Sequence, residues 1–292
     1  MAVTISADSL PTAASIVEPS PMALLRRRIF GHSGMIIGGA VLIFIVLVAL
    51  TAPFLAPHDP YDQDLSRRLI TPIWHGGRTW EHPLGTDELG RDYLSRVMYG
   101  ARISLLIGFS VMVVSGIIGT ALGISAGYFG GRVDMIITFI ITTRLAMPAT
   151  LVALGVVGLT GGSFTIVIIV LGLLLWDRFA VVGRSIAQQI RNLDYITAAE
   201  AAGCSLIRIL ITEVLPNMAN AVIVVATLEV ANAILFEAAF SFLGFGVQPP
   251  TPSWGLMIAE GKGHMFFRPW LINIPGICLF ALLLSINMLG DG

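Results

Sequence analysis

Six stretches of this chain are apolar over the length a helix needs to cross a bilayer: residues 35–52, 103–128, 135–158, 164–182, 217–242 and 270–288. A hydrocarbon core about 30 Å thick takes roughly 20 residues of helix. Lipid offers the backbone no hydrogen-bond partners, so each stretch must satisfy its own peptide groups as a helix. The short alternating strands of a barrel are absent from the pattern. Hydrophobic residues make up 55% of the 292 and charged residues only 12%, about half the charge of a soluble domain. The expected fold is an all-α polytopic membrane protein with about six transmembrane helices.

Residues 1–34 read as a cytoplasmic tail, rich in Ser, Pro, Thr and Ala to about residue 21 and so poor in core-forming side chains. No small-residue cleavage site follows the first apolar run, so 35–52 reads as a retained first transmembrane helix. Arg26, Arg27 and Arg28 just before it place the N-terminus in the cytoplasm. Arg67, Arg68, Arg78, Arg91 and Arg96 in the next loop weaken that vote. With an even number of crossings, 53–100 is an outer loop. Residues 101–292 then form the core of the domain, with an inner loop at 184–216 and a second outer loop at 245–269. In the second span, Gly116, Gly119, Gly123 and Gly127 allow close helix packing.

Several functions are excluded. A net charge of −1 leaves no footprint for nucleic acid. Cys204 and Cys278 have neither disulfide nor metal spacing, and His58, His75, His82 and His264 scatter over the outer loops. No metal and no cofactor is expected. The phosphate-binding loop of ATPases is missing, since the only lysine, Lys262, is followed by Gly263. The chain itself should be no enzyme.

Charges inside the spans ask for partners, because an unpaired one at the bilayer centre costs roughly 2.5–3.5 kcal/mol. Arg144 lies about 15 Å into the third span and Glu229 about 20 Å into the fifth, whereas Glu237 is about 12 Å farther out. Arg144 and Glu229 are therefore expected to form an intramembrane ion pair. Asp177 and Arg178 fall within the fourth span.

The inner loop is the most informative segment. An Ala-rich helical stretch, 196–202, stops at Gly203, a second amphipathic stretch follows from Leu206, and Pro216 restarts the chain into the fifth span. Two short helices meeting at a glycine make a compact knob.

This loop resembles the signature of permease subunits of ATP-binding-cassette (ABC) importers: Glu-Ala-Ala, three residues, Gly, nine residues, Ile-x-Leu-Pro. Thr197, Ala198, Ala199, Gly203, Leu215 and Pro216 occupy the pattern, with Thr197 in place of the Glu and Glu213 in place of the Ile. Glu200-Ala201-Ala202 is a similar triplet one turn out of register. The stretch from His82 to Arg96, its continuation to Leu105, the stretch from Ser241 to Gly255, and the ending from Asn287 to Gly292 look like the dipeptide, oligopeptide and nickel branch. Within it they resemble the C-type dipeptide permease subunit.

The resemblance implies a type I importer permease moving di- or oligopeptides or a related small solute. Its partners would be a homologous second permease, two ATP-binding cassette subunits, an external solute-binding protein and membrane lipid. It assigns Asp194, Tyr195, Thr197, Ala198, Ala199, Ala202, Gly203, Ser205, Leu215 and Pro216 to ATPase coupling. Relatives look uncharged at Arg144 and Glu229, which favours their pairing. The alternative is an ion-coupled secondary transporter. It would need an internal repeat and paired broken helices, neither evident in the sequence.

Overall fold

The computed structural model of the chain describes residues 33–75 and 80–290. The tail with Arg26, Arg27 and Arg28, the loop residue Arg78, and the last two residues lie outside that range. The described residues form helices and connecting turns, with one isolated antiparallel bridge between Thr86 and Asp92.

Helix α1 is Ser33–Leu55, α2 Tyr93–Phe129, α3 Gly131–Ala146, α4 Ala149–Thr160, α5 Phe164–Gly172 and α6 Asp177–Arg191. The short helices α7 (Asp194–Ala201) and α8 (Leu206–Ile209) follow. A five-residue π-helical turn, Leu210–Val214, leads into α9 (Leu215–Phe242). Last come α10 (Trp254–Gly261) and α11 (Trp270–Gly290). Among the described residues, five helical segments are long and apolar enough to cross a membrane, and a sixth is if α3 and α4 count as one span. Their outward faces are apolar: Phe44 and Phe54 on α1, Ile117 on α2 and Phe280 on α11 are exposed from the bundle. In water such surface would drive aggregation; in lipid it is matched to its solvent.

Two of the expected spans are broken. The third bends by 82° between α3 and α4, at Met147 and Pro148. Proline excludes its predecessor from the helical region and has no N–H to give. The fourth is interrupted between Gly172 and Asp177. An apolar run in sequence does not show where a backbone leaves the helix, and both stretches had read as continuous.

At 37 residues, α2 is the central post. At about 1.5 Å per residue it is far longer than a bilayer is thick, so its first turns stand outside the hydrocarbon. This is why it begins at Tyr93 rather than near residue 103. Asp92 caps it, accepting from the Ser95 N–H at 2.8 Å. It packs along α6, α9, α1 and α5. The closest approach is to α6: a Cβ at Gly119, Gly123 or Gly127 would stand 2.2, 2.6 or 2.5 Å from the carbonyl oxygens of Trp176, Ala180 or Arg184. The fourth glycine, Gly116, only meets the Phe179 ring.

At the end of the bundle where α2 starts, the loop before it is clamped by a buried network. Asp87 binds Arg91 Nε at 2.6 Å and the Arg96 guanidinium; Glu260 of α10 binds Arg96 at 2.8 Å and Arg91 at 3.2 Å. Two cations and two carboxylates leave no net buried charge, the condition under which such a cluster is tolerated. Beside it His82 donates through Nδ1–H to Asp92 Oδ1 at 2.9 Å, and the His58 ring lies tilted against that of His82 with centroids 4.6 Å apart. The Arg67 guanidinium, 2.5 Å from Glu81, holds that carboxyl below its usual range. The loop after α9 folds back on the bundle. Val247 is buried, Trp254 donates to the Val97 carbonyl at 2.9 Å, and Ser253 and Ser241 both donate to Glu237.

The α2–α6 contact gives a direct test. Gly123→Ala should lower the thermal midpoint of the detergent-solubilised assembly, at a cost of about 1–3 kcal/mol for overpacking against backbone. Gly155→Ala, where a Cβ meets nothing within 4 Å, should leave the midpoint unchanged or raise it slightly.

Candidate functional site

The first candidate region is the knob between α6 and α9. Helix α7 ends in a Schellman arrangement: Gly203 N–H bonds the Glu200 carbonyl at 2.9 Å and Cys204 N–H bonds the Ala199 carbonyl at 3.1 Å, with Gly203 at φ +78°. Glycine takes this left-handed conformation without strain. The chain thereby reverses into α8 and the π-helical turn, and Pro216 sits in the first turn of α9, where its missing N–H is harmless.

The knob rests on a small core in which Ile196, Ile209 and Val214 meet Tyr128 of α2 and Met218 of α9. Glu200 accepts from the Tyr128 hydroxyl at 2.7 Å, tying α7 to the end of α2. The out-of-register triplet thus supplies an anchor. Of the residues assigned to coupling, Asp194, Tyr195, Thr197, Ala198, Ala202, Gly203 and Ser205 are each exposed. Ala199 is half-buried, and Leu215 and Pro216 are exposed at the entry to α9. Below the knob, Arg184 of α6 forms a two-pronged pair with Asp134 of α3, and Gln188 donates to the same carboxylate at 3.3 Å.

The second region lies where the two breaks meet. Measured along α3, α6 and α9, the residues Arg144, Asp177 and Glu229 all sit about 20 Å from the knob end, near the middle of a bilayer. They line a common cavity of about 180 Å³ with Arg178 and Asn232.

Arg144 and Glu229 do not pair there. The Arg144 guanidinium donates to the Leu174 carbonyl, inside the break of the fourth span, and to the Met147 carbonyl at 3.3 Å, inside the break of the third. A broken helix in lipid leaves carbonyls without their intrahelical donors, and each costs several kcal/mol if unsatisfied. A five-donor guanidinium placed between two breaks is drawn to them. The cation on Glu229 is Arg178, at 3.3 Å, with Asn232 donating to the same oxygen at 3.3 Å. Asp177 begins α6, where a carboxylate suits the positive end of the helix dipole.

The expected ion pair is therefore replaced by Arg178–Glu229. Depth alone could have flagged Arg178, since it lies one residue past Asp177 in the same span. Nothing in the sequence indicated that Arg144 would be engaged by backbone.

A bundle of broken and continuous spans carrying a compact helical knob on one end defines a multi-pass membrane permease domain. Residues 119–292 match the model of the binding-protein-dependent transport system inner membrane component, and residues 20–72 that of the N-terminal transmembrane domain of oligopeptide transport permease C. The chain belongs to this family of inner-membrane transport components. It is 39% identical to the di/tripeptide transport system permease protein DppC of Pseudomonas aeruginosa, over 95% of this chain and 92% of that one. It is 37% identical to the dipeptide transport system permease protein DppC of Haemophilus influenzae, over 89% and 88%. The fold is similar to that of an inward-facing MetNI methionine ABC transporter structure, with a TM-score of 0.55 at 16% identity, covering 67% of this chain and 93% of that one. The protein is thus an inner-membrane permease component of a binding-protein-dependent transport system.

The exchange of partners at the cavity can be checked by paired substitutions. Arg178→Leu should lower the thermal midpoint of the solubilised complex by stranding a buried carboxylate, and adding Glu229→Leu should recover most of the loss. Glu229→Leu should not rescue Arg144→Leu, because the stranded groups there are the Leu174 and Met147 carbonyls.

Proposed function

We propose that this permease moves di- or oligopeptides into the cell, and that the knob centred on α7 is its coupling element, seated on an ATPase subunit. The observation that carries the reading is the knob itself: a rigid, anchored helix whose exposed face bears the residues matching the family signature. The peptide assignment is supported by the names of the relatives, both of them permeases of di- or tripeptide systems.

In this reading the knob end is cytoplasmic. With α3 and α4 counted as one crossing, this reading puts the start of α1 toward the same side, since α1 runs antiparallel to α11, with Gly38 against Ser285 and Met288. The opposite end, with its Asp87–Arg96–Glu260 clamp, receives the solute-binding protein. A homologous second permease completes the pathway, and each permease docks on one of two ATP-binding cassettes. Because Tyr128 and Arg184 tie α7 and α6 to α2 and α3, a displacement of the knob is passed to the helices that carry the mid-membrane breaks. Rigid-body rocking between two packed states is the form such coupling takes.

The broken spans and mid-membrane carboxylates also suit an ion-coupled secondary transporter. Family membership weighs against it, and one experiment separates the two. In proteoliposomes holding the full complex, dipeptide uptake should require ATP and persist when an uncoupler collapses the proton gradient; uptake abolished by the uncoupler with ATP present would overturn the importer reading.

Gly203→Asp tests the knob. A Cβ at Gly203 meets nothing within 4 Å, and aspartate tolerates the left-handed region better than most residues. The variant should assemble in normal amount while uptake per ATP hydrolysed falls about tenfold or more, the scale of 1.4 kcal/mol or above in coupling. Wild-type uptake by this variant would remove the knob from the mechanism.

A further inference from the structure

The cavity at the two breaks has features that packing alone does not require. Glu229 is only 1% exposed. One carboxylate oxygen, Oε1, takes both contacts described above, from Arg178 and Asn232. The other, Oε2, is buried with no hydrogen-bond partner among the described residues, in a side chain that lines the cavity. A buried carboxylate oxygen left unsatisfied is costly, so the site favours a donor there. The neighbouring cations do not supply it. Arg144 is committed to the Leu174 and Met147 carbonyls. Arg178, whose side chain is 58% exposed, meets Glu229 at Oε1, with its Nη1 3.3 Å away.

We propose that this cavity receives one end of the transported solute, with Glu229 accepting from its free ammonium group and Arg178 available to its carboxylate. This rests on the peptide-permease reading above and names the mid-membrane contact it would use.

Three observations support a zwitterion rather than a simple cation or anion. The four charged groups of the wall, Arg144, Asp177, Arg178 and Glu229, sum to zero, so a zwitterion exchanges one ion pair for two without leaving net charge in a low-dielectric setting. The carboxylates are the buried members, Asp177 at 8% and Glu229 at 1% exposure, whereas Arg178 extends outward. An ammonium group would therefore enter first and deepest. At about 180 Å³ the cavity is smaller than the roughly 300–1,000 Å³ of a full ligand site, which fits a terminus and not a whole peptide. Irregular backbone at mid-membrane depth is also tolerated where it lines a polar, water-accessible space.

The test uses the complete complex in proteoliposomes with dialanine as the solute and the loaded binding protein at saturation. Glu229→Gln keeps shape and removes charge. Uptake per ATP hydrolysed should fall by about tenfold, the scale of one charge-assisted hydrogen bond, while ATP hydrolysis stimulated by the binding protein stays near wild type. The double variant R178Q/E229Q should remain equally defective.

Uptake by Glu229→Gln within twofold of wild type would overturn the proposal. So would recovery in the double variant, which would make Glu229 merely the counter-ion of Arg178. Should Glu229→Gln fail to assemble, Glu229→Asp serves instead: a raised half-saturation for dialanine supports the contact, and an unchanged one overturns it. If the wild-type complex does not carry dialanine at all, the peptide reading fails first and the proposal falls with it. That outcome is distinct from a wild type that transports and a variant that transports equally well.

Discussion

A peptide carbonyl in the middle of a bilayer has no water to accept from, and that constraint governs the centre of this molecule. Two spans leave the helix at the same depth, at Met147–Pro148 and across residues 173–176. The Arg144 guanidinium joins them, donating to one carbonyl in each break. With the breaks satisfied, α6 can begin afresh at mid-membrane, presenting Asp177 and Arg178 at its first turn opposite Glu229 of α9. The polar cavity is a consequence of this arrangement. An arginine at such depth is costly in isolation, but it is stable where it replaces missing backbone donors.

The surrounding architecture keeps that centre in register with both ends. Along α2, three glycines bring its backbone against the carbonyls of α6, so the two helices are held as one unit over most of their shared length. At one end the Asp87–Arg91–Arg96–Glu260 network binds loop, post and α10 together without net charge. At the other, Tyr128 on Glu200 joins the knob to the post, and Arg184 on Asp134 joins α3 to α6, which lies against it. Motion of the knob relative to the bundle therefore has few soft places to dissipate.

Much of this could be read in the sequence, and the limits have physical causes. Helix number, the apolar outward faces and the knob's stop at Gly203 follow from residue types in local patterns, and the glycine stripe announces a close contact even though it does not name α6 as the partner. Most members of the His82–Asp92 pair and the Asp87 network lie within the motif from His82 to Arg96, but His58 and Glu260, which complete them, lie outside it and are brought in only by the fold. The break across residues 173–176 is hidden because apolar residues continue through it, whereas Pro148 marks the other and only the long apolar run around it masks that signal. The ion pair was assigned by depth, a one-dimensional criterion. It found the right plane and one of the right residues, but Arg144 had a competing partner, the broken backbone, that depth cannot reveal.

The arrangement at the breaks is open to direct observation in a side-chain-resolution cryo-electron microscopy map of the assembled transport complex in a lipid nanodisc, without solute. The third and fourth spans should be interrupted at residues 147–148 and 173–176, with the Arg144 guanidinium within hydrogen-bond reach of the Leu174 carbonyl and Glu229 facing Arg178. Continuous helices through either position, or an Arg144–Glu229 separation under about 4 Å, would contradict it.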